Sequence, residues 1–183
     1  MSGMQIKDGT GSGYAAGVKA DNRLQTSSVS ISKLAHVSEE DGLAFSWTST
    51  NYDYDAGDTI LLIKNTGTRH LHIQRAIFYS DTATMVVGHR PTATVTTPTG
   101  TATAGVNMNG TSNNAADATA ITDESTNVQG AVLLNLYVPA GIPVQSDNEG
   151  AVILAQNQSF GFDFVTAGAA ATITVLGYFE DPA

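Results

Sequence analysis

The chain has 183 residues, no cysteine, one tryptophan and a formal charge of −9. Its length suits one main domain, which at this size buries about 70% of its unfolded surface. Disulfides and cysteine-based zinc sites are excluded, nothing approaches the about 20 apolar residues of a membrane span, and Met1–Gln5 lacks the apolar core of a secretory signal.

The charge is uneven. All eight Lys and Arg lie at or before Arg90, where nine acids nearly balance them (8 − 9 = −1); from Pro91 onward eight acids stand alone, giving −8. Phosphate recognition needs clustered cations, so neither a nucleic-acid nor a membrane partner is expected. The simplest physical reading is an acidic outer face and a more basic anchoring end.

Residues 1–28 read as an extended N-terminal arm. Gly9, Gly11, Gly13 and Gly17 make a helix or a central strand costly in backbone entropy, and Lys7, Lys19 and Arg23 make the segment locally basic. Composition alone leaves two readings open, an arm ordered by a partner or a chain end without one. Its contact residues are expected to be Ile6, Lys7, Tyr14, Val18, Arg23 and Leu24.

Residues 29–183 read as a β domain. Short alternation at Val29–Ser32 is followed by a single helical turn around Leu34–Val37, then by a strand over Leu43–Ser49 with Leu43, Phe45 and Trp47 on one face. Thr59–Asn65 and Leu71–Tyr79 flank the turn-rich Asn65-Thr66-Gly67-Thr68, which predicts a hairpin. Met85–Val87 and Ala93–Thr96 suggest shorter strands. Residues 100–130, rich in Thr, Asn, Ala and Gly, read as a long loop insertion. Strands return at Ala131–Val138, Ala151–Leu154, Ser159–Val165 and Ala171–Phe179, the last two joined as a hairpin through Thr166–Ala169. Phe160, Phe162 and Phe164 share one strand face. The pattern predicts an all-β antiparallel sandwich, with a jelly roll as the specific expectation.

Lys7-Asp8-Gly9-Thr10-Gly11-Ser12-Gly13 through Asn22-Arg23-Leu24-Gln25-Thr26 resembles a leader of the form K-D-G-T-G-x-G-x-x-A-x-V-x-x-x-N-R-L-x-T, which precedes a β domain in structural proteins of tailed-phage virions. Val106-Asn107-Met108-Asn109-Gly110-Thr111-Ser112-Asn113, followed by Ala115–Ala118, is similar to a P-V-N-x-N-x-G-S-x-N-x-A-D-A-T stretch of the same group. Together they cover about a fifth of the chain. The acidic Ala/Glu-rich stretch that often follows the leader is missing here. The resemblance implies a virion component assembled in the host cytoplasm, with the major capsid protein as partner.

Motifs for chemistry are weak throughout. Asp53, Asp55 and Asp58 have oxygen spacing that suits calcium, but not the EF-hand pattern, and a polar turn explains them equally. His70 and His72 alternate onto one strand face, with His36 or His89 as a third metal ligand, but no fixed carboxylate accompanies them. Gly11-Ser12-Gly13-Tyr14-Ala15-Ala16 fits a relaxed dinucleotide fingerprint without its strand–helix context. No nucleophile elbow occurs. The expectation is therefore a protein without enzymatic activity, cofactor or metal. It is read as a capsid-surface decoration (cement) protein, forming a homotrimer with its arms on capsid subunits. Two apolar stretches, Leu133–Val138 and Phe160–Val165, offer surplus side chains for that trimer. The alternative is a tail-associated receptor- or carbohydrate-binding module using Trp47, Tyr52 and Tyr54.

Overall fold

The computed structural model describes residues 6–7, 15–18, 24–25, 32–49, 52–55, 58–92, 99–125 and 129–182. The chain divides into two units, Met1–Ser32 and Lys33–Ala183. In the first, β1 (Ile6–Lys7), β2 (Ala15–Val18) and β3 (Leu24–Gln25) form a small antiparallel sheet, with Ile6 opposite Ala16 and Val18 opposite Leu24. The strand expected at Val29–Ser32 and the one at Ala93–Thr96 fall on residues 29–31 and 93–96, outside the described residues.

The second unit opens on a helical turn, α1 (Lys33–His36), which runs into a π-helical turn over Val37–Asp41. Gly42 ends it in the left-handed region, φ 62°, and its N–H bonds to the Val37 carbonyl. Val37 and Leu34 pack on Ala44 and Tyr178. Lys33 pairs with Glu180 at 2.6 Å, which holds the Glu180 carboxyl below its ordinary range and raises the Lys33 ammonium. This turn thus rides on the strand that carries Tyr178 and Glu180.

Among the described residues twelve strands follow: β4 (Ala44–Thr48), β5 (Tyr52–Tyr54), β6 (Thr59–Asn65), β7 (His70–Ser80), β8 (Thr84–Arg90), β9 (Thr101–Thr103), β10 (Val106–Asn107), β11 (Ala118–Glu124), β12 (Ala131–Val138), β13 (Val144–Leu154), β14 (Ser159–Phe164) and β15 (Gly168–Glu180). They build two antiparallel sheets, ordered β10-β4-β15-β7-β13, with β5 also on β15, and β12-β8-β14-β6-β11-β9. The sheets pack face to face as an all-β sandwich.

Alternation decides which side chains enter the core. Phe45 and Trp47 of β4, Ile73 and Phe78 of β7, and Ile173 and Val175 of β15 come from one sheet; Leu61 and Ile63 of β6 and Phe160, Phe162 and Phe164 of β14 come from the other. Phe78 meets Phe162 across the interior at 5.3 Å, edge to face. Each such buried side chain contributes about 1.5–3 kcal/mol.

Three expectations are corrected. β6 and β7 are not a hairpin, because they belong to different sheets. The Asn65–Thr68 connection is a corner: Asn65 Nδ2 donates to Leu154 O at 2.8 Å and to Arg69 O, while the N–H groups of Thr66 and Gly67 donate to Asp117 O. β14 and β15 are likewise split between the sheets. Residues 100–130 are not one long loop, since the seven-residue β11 pairs through six residues with β6 on one side and through three with β9 on the other. Ala120, Thr122 and Glu124 of β11 are buried, and at the first two small side chains fill places that usually hold large ones.

Candidate functional site

The Asn-rich motif of the second resemblance is a latch. β10 lies along β4, and the loop after it folds over the end of the π-helical turn. Asn107 Nδ2 donates to Gly42 O at 2.9 Å and to Asn114 O at 3.0 Å. Asn109 Nδ2 donates to Ser38 O at 2.8 Å, and Asn114 Nδ2 to Asp41 O at 3.1 Å. Inside the loop, Asn109 Oδ1 accepts from the N–H and hydroxyl of Thr111. Carbonyls at a helix end have no intrahelical donor, and these amides supply one. Gly42 also leaves room: a Cβ there would lie 2.4 Å from Ser112 Oγ. These asparagines therefore hold the fold together, a role the motif alone did not reveal.

The histidines do not converge. His36 faces Glu40 at 3.3 Å; His72 stacks on Tyr178, ring centroids 4.9 Å apart, with Glu180 3.8 Å away. His89 lies 2.9 Å from Asp163 on the adjacent strand. That pair is 0% and 2% exposed, and although close it lacks hydrogen-bond alignment; His89 Nδ1 has no partner. Neither ring nor carboxylate of this pair is open to solvent.

Burial raises the Asp58 carboxyl above its ordinary range, with Asp123 and Asp55 adding like-charge repulsion. Asp55 is exposed, and Asp53 sits on β5. Among the described residues, no group of three or more His, Cys, Asp or Glu is placed to hold a metal. Glu124 is committed elsewhere, accepting from Thr99 N, Thr99 Oγ1 and Gly100 N.

Of the aromatic residues expected to bind sugar, Trp47 is 0% exposed and packs on Phe45 and Phe179, so it cannot stack on a ligand. The alternation that puts Phe45 inward puts Trp47 there as well. Tyr52 and Tyr54 lie on β5, which pairs with β15. Of the arm residues, Ile6 and Lys7 fall in β1, Val18 in β2 and Leu24 in β3, while Tyr14 and Arg23 lie outside the described residues.

Two concavities are lined by described residues. A polar cleft of about 610 Å³ beside the latch is lined by Glu40, Asp41, Arg69, Asn114 and Asp117. Arg69 is already engaged by Asp181 at 3.2 Å and Asp117 at 3.9 Å, so its charge is spent within the chain. A second groove, about 370 Å³, opens at the sandwich edge between β12 and β13, with Leu133, Ile153 and Phe160 on its walls and Arg90 at its lining. Around it Val132, Leu133 and Tyr137 are exposed. The Leu133–Val138 stretch thus keeps apolar surface outside, whereas the expectation for Phe160–Val165 is corrected: its three phenylalanines fill the core and only Val165 is exposed.

Comparison with family models, with curated proteins and with solved structures finds no match. The site residues must speak for themselves.

Proposed function

We propose that this protein is a non-enzymatic decoration (cement) component of a tailed-phage capsid, held on the major capsid protein through its N-terminal arm. The observation that carries the reading is the K-D-G-T-G…N-R-L leader in a unit of its own ahead of a sandwich with nested strand pairing. Taking β4, β6, β7, β8, β12, β13, β14 and β15 as eight successive strands, first pairs with last (β4–β15), second with seventh (β6–β14), third with sixth (β7–β13) and fourth with fifth (β8–β12). A long antiparallel hairpin rolled on itself has this order, which supports reading the sandwich as a jelly roll, an architecture recurrent in capsid proteins. Fold alone does not give function, so the leader carries the weight.

In this reading three copies form a closed ring at a three-fold position, each seating an arm on a neighbouring capsid subunit. The acidic second half of the chain faces outward. The test is the copy number of this chain in purified particles, by quantitative peptide mass spectrometry. Hundreds of copies are expected. A handful points to the tail, and absence from particles ends the proposal.

A further inference from the structure

Large apolar side chains stand exposed along one continuous segment. Val132, Leu133 and Tyr137 on β12 and Ile142 in the loop after it are each 56–58% exposed, and Ile153 on β13 is 43% exposed. β12 is the outer strand of one sheet and β13 the outer strand of the other, so the segment forms one edge of the sandwich. Leu133 is the extra residue of a bulge between Val132 and Leu134, and with Ile153 it lines the groove described above.

The other sheet ends are protected in familiar ways. β9 has three residues and β10 two. β13 carries Asp147 and Glu149, and its pairing shifts between Asp147 and Val152, where Glu149 and Gly150 take positive φ. Short length, charge and irregularity are how sheets discourage unwanted pairing. β12 has eight residues without a charge and pairs regularly with β8 from Leu134 to Val138. An edge of this kind persists in a stable protein when something covers it.

Charge points to what covers it. The chain carries −9, so two copies repel over most of their surfaces. Residues 131–146 contain no charged side chain, and there the repulsion is weakest. A basic partner would be drawn to the acids instead. A standard interface engages about 20–30 residues on each side, and the uncharged run 131–146, with Ile153 beside it, can supply its centre. We propose that this run is the contact between copies of this chain, with Leu133, Tyr137 and Ile142 of each copy converging on the axis of the homotrimer. The number of copies rests on the trimer reading above; the surface does not.

The test combines mass with cross-linking. Light scattering of the full chain is expected to give three times its 19.0 kDa mass, falling threefold to the single-chain mass in Leu133→Glu and in Tyr137→Glu, with unchanged strand signal in circular dichroism. Because the chain has no cysteine, Tyr137→Cys reports contact directly. It is expected to form a reducible intermolecular cross-link, while Thr119→Cys on β11 does not. If Leu133→Glu fails to fold, the Tyr137 variants carry the test. A dimer broken by these changes supports the surface and ends the trimer reading. A trimer indifferent to both Glu substitutions overturns the surface alone, and a monomeric parent chain overturns both.

Discussion

His89 and Asp163 face each other at 2.9 Å across neighbouring strands β8 and β14, both enclosed by protein. The pair sits on the side of the sheet opposite Phe160, Phe162 and Phe164, beside Gly161, where a Cβ would come within 3.0 Å of His89 Nε2. Removing one member of a buried pair leaves the other without compensation. Asp163→Ala and His89→Ala each remove the buried polar group that faces the other and are expected to cost about 1–3 kcal/mol, and the double change to Ala at both positions to cost less than their sum. Urea midpoints of the three variants decide this. Additive losses in the double variant contradict the pairing.

The latch predicts a local effect. Asn109→Ala leaves the part-buried Ser38 carbonyl without its side-chain donor, at a cost of about 1–3 kcal/mol, while Asn107→Ala is expected to cost less, because Ser112 Oγ and Asn114 Nδ2 still reach the Gly42 carbonyl. Gly42→Ala adds backbone strain to a clash with Ser112. Hydrogen exchange is expected to speed up first at residues 37–43, before the sandwich strands respond. Uniform change across the chain is the contrary result.

Asp58 supplies a pH dependence. Its folded carboxyl is raised by burial and then by Asp123 and Asp55, so its protonated form is favoured by folding. The stability it contributes is fully present below the unfolded value of about 3.9 and is lost as pH rises through the raised folded value. Asp58→Asn cannot ionise and is expected to be more stable than the parent at pH 7, by up to about 1 kcal/mol after solvent screening. That advantage should fade toward pH 4. Equal urea midpoints at pH 7 leave the repulsion without consequence.

If the proposed arm–capsid attachment holds, burying Leu24 in a capsid groove would contribute about 1.5–3 kcal/mol, against about 0–1 for an exposed ion pair. Arg23 would add a bidentate contact to a capsid carboxylate that lysine reproduces poorly. Leu24→Ala and Arg23→Ala are therefore expected to weaken particle binding more than Lys7→Ala, with modest salt dependence. Release by moderate salt together with an inert Leu24→Ala marks an electrostatic tether instead.

The sequence by itself determined the strands with strong apolar alternation and the faces of β4 and β14, because alternation is a local property. Phe45 and Trp47, and Phe160 through Phe164, could be placed on one side of a strand from spacing alone. Sheet membership was not legible. Asn65-Thr66-Gly67-Thr68 has the composition of a hairpin turn, yet it is a corner because Leu154 and Asp117, far along the chain, hold its backbone groups. β11 was hidden because Ala118, Ala120 and Thr122 are small, and only pairing with β6 makes that acceptable. The asparagines read as a motif, but their targets Ser38, Asp41 and Gly42 lie about seventy residues away. Leu133–Val138 and Phe160–Val165 look alike in composition. Only the tertiary structure decided that β12 lies at an edge with Val132, Leu133 and Tyr137 outside, while β14 lies between β6 and β8 with its phenylalanines in the core. Hydrophobic content fixes how much surface a segment can bury, and its neighbours in space fix how much it does.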